Sequence, residues 1–128
     1  MQPLAELAGN NGMTSIRRIE RLQIKIREEL GKIIIKEFDF AFGTLVTITR
    51  VELSEDLTAV RIYISVMPER NEQDVLTEMN KEIYVVQQKF NKKMEMRPVP
   101  RIRFLLDETV REAAKIEEDL YNLKNKDK

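Results

Sequence analysis

From Ala59 to Val66 the side chains alternate without interruption: Val60, Ile62, Ile64 and Val66 are β-branched hydrocarbons, with Ala59, Arg61, Tyr63 and Ser65 between them. Successive side chains of a strand point to opposite faces, so this run makes a strand with one buried face and one wetter face. Such a strand needs a covering layer, which points to helices laid on a sheet. The run before it, from Phe42 to Leu53, is also rich in β-branched residues, and Ser54-Glu55-Asp56 separates the two, so together they read as an antiparallel hairpin. Apolar parity in the first run shifts from Val46 and Ile48 to Val51 and Leu53, and a β-bulge near Thr49 or Arg50 would repair it.

The helical pattern lies on either side of the hairpin. Ser15 is a candidate N-cap, and Ile16, Ile19, Ile26, Leu30 and Ile33 recur at helical spacing, which predicts a helix over 16–36. Gly31 weakens it by about 1 kcal/mol relative to alanine, so the late turns depend on packing of Ile33 and Ile34. Arg17, Arg21, Lys25 and Lys32 form a basic stripe on the far side, with Glu28 placed to support Lys32. After Pro68, Asn71 is a candidate N-cap with Asp74 three residues on, and Leu76, Met79, Ile83, Val86, Phe90 and Met94 predict one helix over about 72–95. Opposite that stripe lie Lys81, Tyr84, Gln88 and Lys92, flanked by Lys89 and Lys93.

Two prolines in Arg97-Pro98-Val99-Pro100 forbid helix and lead into a third strand, where Ile102, Phe104 and Leu106 alternate with Arg101, Arg103 and Leu105. Thr109 and Glu112 have capping-box spacing ahead of Val110, Ala113, Ile116 and Leu120, so a short C-terminal helix follows and ends in a lysine-rich tail. Residues 1–14, with Pro3, Gly9, Asn10, Asn11 and Gly12, have no apolar period and read as a flexible tail in which Met13 is a second candidate start. The expected layout is a tail over 1–14, a domain over 15–107, and a C-terminal helix with its tail over 108–128.

At 128 residues the chain is long enough for one ordinary core. It has no cysteine and no histidine, which removes disulfides, thiol nucleophiles, imidazole bases and zinc fingers together. No glycine follows Gly43, so no phosphate-cradling loop is available. Glu28-Glu29, Glu55-Asp56 and Glu117-Glu118 fall on predicted helix surfaces or in a turn, where solvation accounts for them. No catalytic residue, metal ligand or cofactor site emerges. The absence of a secretory signal, of cysteine and of any long uncharged apolar stretch is read as a cytoplasmic protein with no membrane partner.

The formal net charge is zero, yet it is segregated: +3 over residues 1–36, −6 over 37–80, +5 over 81–103 and −2 over 104–128. A phosphate backbone responds to a local field, so two basic segments folded against each other could hold RNA. Two helices on one sheet face would bring Arg17, Arg21 and Lys25 near Lys81, Lys89 and Lys92. Bland readings stand beside this one: Tyr84 as a cap on the core edge, Arg101 and Arg103 as strand-face charges, and Met67, Met79, Met94 and Met96 as core filler.

The order helix, strand, strand, long helix, proline-led strand resembles a type II KH domain. The wording resembles the ribosome-binding factor A family in three places: Val-Thr-Ile-Thr and the Ser-x-Asp turn within 46–65, Pro-x-(Ile/Leu)-x-Phe-x-x-Asp within 98–110, and the first helix with its acid–aromatic junction. The similarity covers about residues 15–123. It implies an α+β, type II KH-like fold in the order α-β-β-α-α-β, with helices on one face of a three-stranded sheet and an extra short C-terminal helix. It also implies a monomeric, non-catalytic factor that binds the immature small ribosomal subunit and its rRNA late in maturation and is linked to growth in the cold. Ribosomal proteins and assembly GTPases are its candidate further partners. Two places depart from the family pattern: Glu82-Ile83-Tyr84 stands where an Ala-x-Gly kink divides the second and third helices, which leaves open whether the kink survives, and Asp39-Phe40-Ala41 stands where Asp-Pro-Arg follows the first helix.

On this reading the RNA-binding residues are Arg17, Arg21, Lys25, Lys81, Lys89, Lys92, Lys93, Arg101 and Arg103, with Tyr84 stacking an unpaired base. The alternative is a protein-interaction or dimerising α+β module without direct RNA binding, in which the acidic block over 52–78 engages a basic partner.

Overall fold

The computed structural model describes residues 11–126. The elements run α1 (Asn11–Glu37), β1 (Leu45–Leu53), β2 (Ala59–Met67), a 3₁₀ turn (Glu69–Asn71), α2 (Glu72–Lys81), α3 (Ile83–Lys93), β3 (Arg101–Leu106) and α4 (Thr109–Lys126). Among the described residues no helix is long and apolar enough to cross a membrane.

Strand order is β1-β2-β3, with β1 antiparallel and β3 parallel to β2. The register aligns Leu53, Val60 and Ile102 in one row, Val51, Ile62 and Phe104 in the next, and Ile48, Ile64 and Leu106 in a third. All of these side chains lie on one face, and Ile62, Ile64 and Val60 are almost wholly buried there. The parity shift in β1 is a bulge: Ile48 pairs with Ile64 and Arg50 with Tyr63, leaving Thr49 as the extra residue. Its hydroxyl donates to Asp107 Oδ2 at 2.5 Å, which ties the bulge to the end of β3. The hairpin loop closes around Asp56, whose Oδ1 accepts from the Ser54 hydroxyl (2.7 Å), the Thr58 hydroxyl (2.7 Å) and the Thr58 N–H (3.1 Å). These bonds hold the Asp56 carboxyl below its ordinary pKa and fix the loop in which Leu57 takes a left-handed φ of 63°.

The covering layer consists of α1, α2 and α3. Ile26, Leu30, Ile33 and Ile34 of α1 meet Val75 and Met79 of α2 and Val86 and Phe90 of α3 over the apolar face. Two side chains lock this layer to the sheet edges. Gln23 of α1 accepts the Leu53 N–H (3.0 Å), while Gln87 of α3 accepts the Ile102 N–H (2.9 Å) and donates to the Pro100 carbonyl (3.0 Å). Edge groups of β1 and β3 that would otherwise invite another strand are thereby partly used.

Several boundaries differ from the sequence reading. The first helix starts at Asn11, four residues before Ser15, because no proline interrupts 11–15 and extending an existing helix costs little. The rest of the expected tail, residues 1–10, lies outside the described residues, as do the side chains of Ser15 and Glu112 and the positions Asp127 and Lys128. The Asn71 backbone is already helical because a 3₁₀ turn feeds α2, and its side chain donates to the Thr44 hydroxyl (2.9 Å) with no capping bond. The kink is present: the expected helix over 72–95 breaks at Glu82 (φ −98°, ψ 13°), although the Glu82 N–H still reaches the Glu78 carbonyl and the Val86 N–H reaches the Glu82 carbonyl. The C-terminal helix is not short but 18 residues long, and the Thr109 N–H is taken by Asp107 Oδ1 (2.9 Å), so Asp107 acts as its cap. Its residues Lys115–Lys124 are all exposed, and Ile16 at the other end of the chain is exposed as well, because neither helix end overlies the sheet.

Candidate nucleic-acid interface

The C-terminal turns of α1 and α3 meet beside the core and enclose a cleft of about 180 Å³ lined by Glu29, Lys32, Ile33, Lys36, Lys89, Lys92 and Lys93. On α1, Glu29, Ile33 and Lys36 follow at steps of four and three, with Lys32 alongside, so the turn that buries Ile33 also carries both lysines to the cleft. On α3, Lys89 and Lys93 are one turn apart, and Phe90 between them is fully buried and anchors the turn. Lysines in a last helical turn also stabilise the exposed carbonyls there, a local contribution that Lys36, Lys92 and Lys93 make. Lys32 and Lys89 lie further in and owe nothing to that effect.

Two carboxylates organise the six lysines in and around the cleft. Glu29 is 8% exposed and shares one oxygen between Lys25 (3.4 Å) and Lys32 (3.8 Å), and Glu37 pairs with Lys89. Among the described residues Lys36, Lys92 and Lys93 have no acidic partner. The local balance is thus four positive charges in a protein whose total is zero. Sequence reasoning assigned Lys32 to Glu28 and placed Glu29 on the solvated surface; the structure corrects both, because Glu29 faces the seam between α1 and α3. It also adds Lys36, which the stripe pattern missed.

The predicted site residues divide into four groups. Lys25, Lys89, Lys92 and Lys93 belong to the cleft or adjoin it. Tyr84 and Lys81 are exposed near the Glu82 break; Tyr84, Gln88 and Lys92 are spaced by four and form one stripe along α3 leading about 12 Å to the cleft. Tyr84 is 72% exposed, so it does not cap the core edge. Arg17 and Arg21 are 15 and 11 residues before Lys32, about 22 and 16 Å up α1, and do not line the cleft. Arg101 and Arg103 are exposed on the sheet face that the helices leave open. Of the methionines, Met79 and Met94 are core filler but Met67 is 57% exposed.

Of three larger clefts, those of about 400 and 380 Å³ mix signs in their linings, Glu52 and Glu55 with Arg61 and Glu20 with Arg27 and Arg50, while that of about 370 Å³ sets only Arg97 and Arg101 beside the neutral Gln87 and Asn91. Charge, not size, singles out the lysine cleft as the place where an anion would gain most.

The model of the ribosome-binding factor A family matches residues 18–120, which is most of the chain. This chain belongs to the ribosome-binding factor A family. Ribosome-binding factor A of Coprothermobacter proteolyticus is 33% identical over 86% of this chain and 80% of its own, and that of Chlamydia pneumoniae is 30% identical over 91% and 99%. Among solved structures, the crystal structure of ribosome-binding factor A from Thermus thermophilus matches with a TM-score of 0.61 and 23% identity, covering 69% of this chain and 93% of that one. A Thermus thermophilus ribosome-binding factor A model fitted into the cryo-EM map of its 30S complex matches with a TM-score of 0.57 and 24% identity, over 68% and 92%. These likenesses establish the α+β, KH-like fold expected from the family pattern; in this chain α2 and α3 part at Glu82.

Proposed function

We propose that this chain is a non-catalytic assembly factor that binds the small ribosomal subunit through its ribosomal RNA. It acts on the immature particle late in maturation, assists rRNA processing and growth in the cold, and works in the cytoplasm as a monomer. The observation that carries this reading is the lysine cleft in a chain of this family, together with the relative whose homology model was fitted into the cryo-EM map of a 30S complex. Lys25, Lys32, Lys36, Lys89, Lys92 and Lys93 would grip backbone phosphates as mobile point charges, Tyr84 would stack an unpaired base at the end of the same stripe, and Arg17 and Arg21 would make outlying phosphate contacts.

The alternative, an acidic interaction module, has two of the acids of its block engaged within the fold. Glu52 is engaged by Arg50, Arg61 and Tyr63, and Asp56 is consumed in the hairpin loop. The deciding experiment is co-sedimentation of the full chain through sucrose gradients of bacterial lysate at low and moderate salt. Enrichment on free small subunits that weakens with salt is expected; persistence at the top of the gradient at both salt levels would overturn the reading.

A further inference from the structure

The three helices that bury the core cover one face of the sheet and leave the other open. On the open face the register sets Glu52, Arg61 and Arg103 side by side in one row, with Ala59 and Arg101 in the row before it and Arg50, Tyr63 and Leu105 in the row after. Arg61 and Arg103 are direct neighbours on parallel strands, about 4.8 Å apart at the backbone, and Arg101 is about 7 Å from Arg103 along β3. Like charges directly opposite on a sheet are destabilising, and nothing in packing requires them here.

The single carboxylate within these rows is Glu52. It sits 3.7 Å from both Arg50 and Arg61 and accepts the Tyr63 hydroxyl at 3.1 Å, while the Arg50 guanidinium lies 4.0 Å over the Tyr63 ring. Among the described residues Arg101 and Arg103 have no acidic partner. Asp107, at the far end of β3, is taken by Thr49 and Thr109, and counting it still leaves the face at +2.

Three features indicate a polyanion rather than a folded protein as the partner. Every cation here is an arginine, whose planar fork engages phosphate oxygens in pairs, whereas the cleft on the helical side uses only lysines. The patch offers little of the apolar centre that protein interfaces need: Tyr63 is covered by Arg50, Leu105 beside it is half-buried, and the exposed pair Leu45 and Met67 lies six residues along β2, about 20 Å from Arg61. The surface is also continuous across β2 and β3, as suits a backbone laid along it.

We propose that the open sheet face, through Arg61, Arg101 and Arg103, is a second phosphate-binding surface, so that one molecule holds two RNA backbone segments at once, one on each side of the sheet. The inference rests on the RNA-binding reading of the lysine cleft and adds a bridging role to it. The test uses the full chain, a single-stranded small-subunit rRNA fragment fixed to beads, and a second, fluorescent copy of that fragment. Wild type is expected to bring the second RNA to the beads. The triple variant Arg61→Gln, Arg101→Gln, Arg103→Gln is expected to bind the fixed RNA with a salt slope shallower by about two units and to lose at least nine-tenths of the capture. Circular dichroism confirms that the variant is folded, as substitutions at exposed positions should allow. Capture and slope equal to wild type in the folded variant would overturn this proposal and leave the lysine cleft standing, as would wild type that binds one RNA but captures no second. Displacement by polyglutamate at equal charge as effectively as by RNA would overturn the assignment to phosphate. Wild type that binds no RNA at all would overturn both readings, and that result is distinct from every other.

Discussion

Removing the three unpartnered lysines of the cleft tests the interface at its most exposed point. In the variant Lys36→Gln, Lys92→Gln, Lys93→Gln, the pairs that Glu29 makes with Lys25 and Lys32, and Glu37 with Lys89, are untouched, so what is lost is the charge free to meet a ligand. Each phosphate contact on a single strand contributes about 0.7 to the slope of log K against log salt, so three contacts contribute about two units. At 0.1 M salt that is a loss of about 100-fold in affinity, shrinking to about 7-fold at 0.4 M and vanishing near 1 M. The same lysines stabilise their helix ends, so the variant should also lose about 1 to 2 kcal/mol of stability, which a urea titration measures and which keeps it folded under assay conditions. Fluorescence anisotropy with a small-subunit rRNA fragment from 0.05 to 0.4 M salt reads both slope and affinity. An unchanged slope in a folded variant would refute the assignment. A loss that stayed constant with salt would do so as well, because it would come from something other than charge.

Two other substitutions test neighbouring parts of the argument. Glu29→Gln removes the buried acid between Lys25 and Lys32 and raises the local balance by one charge, so RNA affinity at 0.1 M should rise by about fivefold, with a steeper salt slope in the same assay. Weaker binding would mean that Glu29 acts by holding the two lysines in place. The Asp107 carboxyl is held below its ordinary pKa, first by the Thr49 hydroxyl and then by the Thr109 N–H and hydroxyl. A carboxyl depressed in the folded state adds stability that is fully present above its unfolded pKa, near 3.8, and is lost as pH falls through the lower native value. Asp107→Asn should therefore melt lower than wild type at pH 7, and the gap should close as both are melted at successively lower pH below about 3.8; a gap independent of pH would dismiss the charge as its cause.

What the sequence made legible was whatever depends on local periodicity. Val60 to Val66 declared the central strand, and the parity shift in β1 placed a bulge near Thr49 or Arg50, where the register shows it at Thr49, because an apolar face must stay on one side of a sheet. The break at Glu82 was invisible to the same reasoning: Met79 and Val86 are seven residues apart, a spacing that a continuous helix and a one-residue interruption satisfy equally. Glu28 drew attention because Glu four residues before Lys is the favoured order, yet Glu29, with lysines four before and three after, faces the seam and takes both. Lys36 became a site residue only when α1 met α3, a tertiary event that no local pattern encodes. Arg61 was read as part of a wetter strand face, and only the parallel pairing of β3 puts Arg103 beside it.

A net charge of zero would ordinarily count against nucleic-acid binding, but in this fold it does not, because charge acts over short distances. At physiological salt the Debye length is about 8 Å, close to the spacing of two packed layers. The cleft between α1 and α3 and the arginine rows on the open sheet face are on opposite sides of the sheet, and Glu29, Glu37 and Glu52 offset only part of the charge there. Each surface therefore presents its local sign to whatever touches it, while the distant field that draws a basic protein to any nucleic acid is nearly cancelled. A chain built this way gains little from chance encounters with RNA and most from a partner that offers phosphates where both faces can reach them. That follows from placing the lysines and arginines on the two sides of one small sheet, in excess of the acids Glu29, Glu37 and Glu52 set beside them.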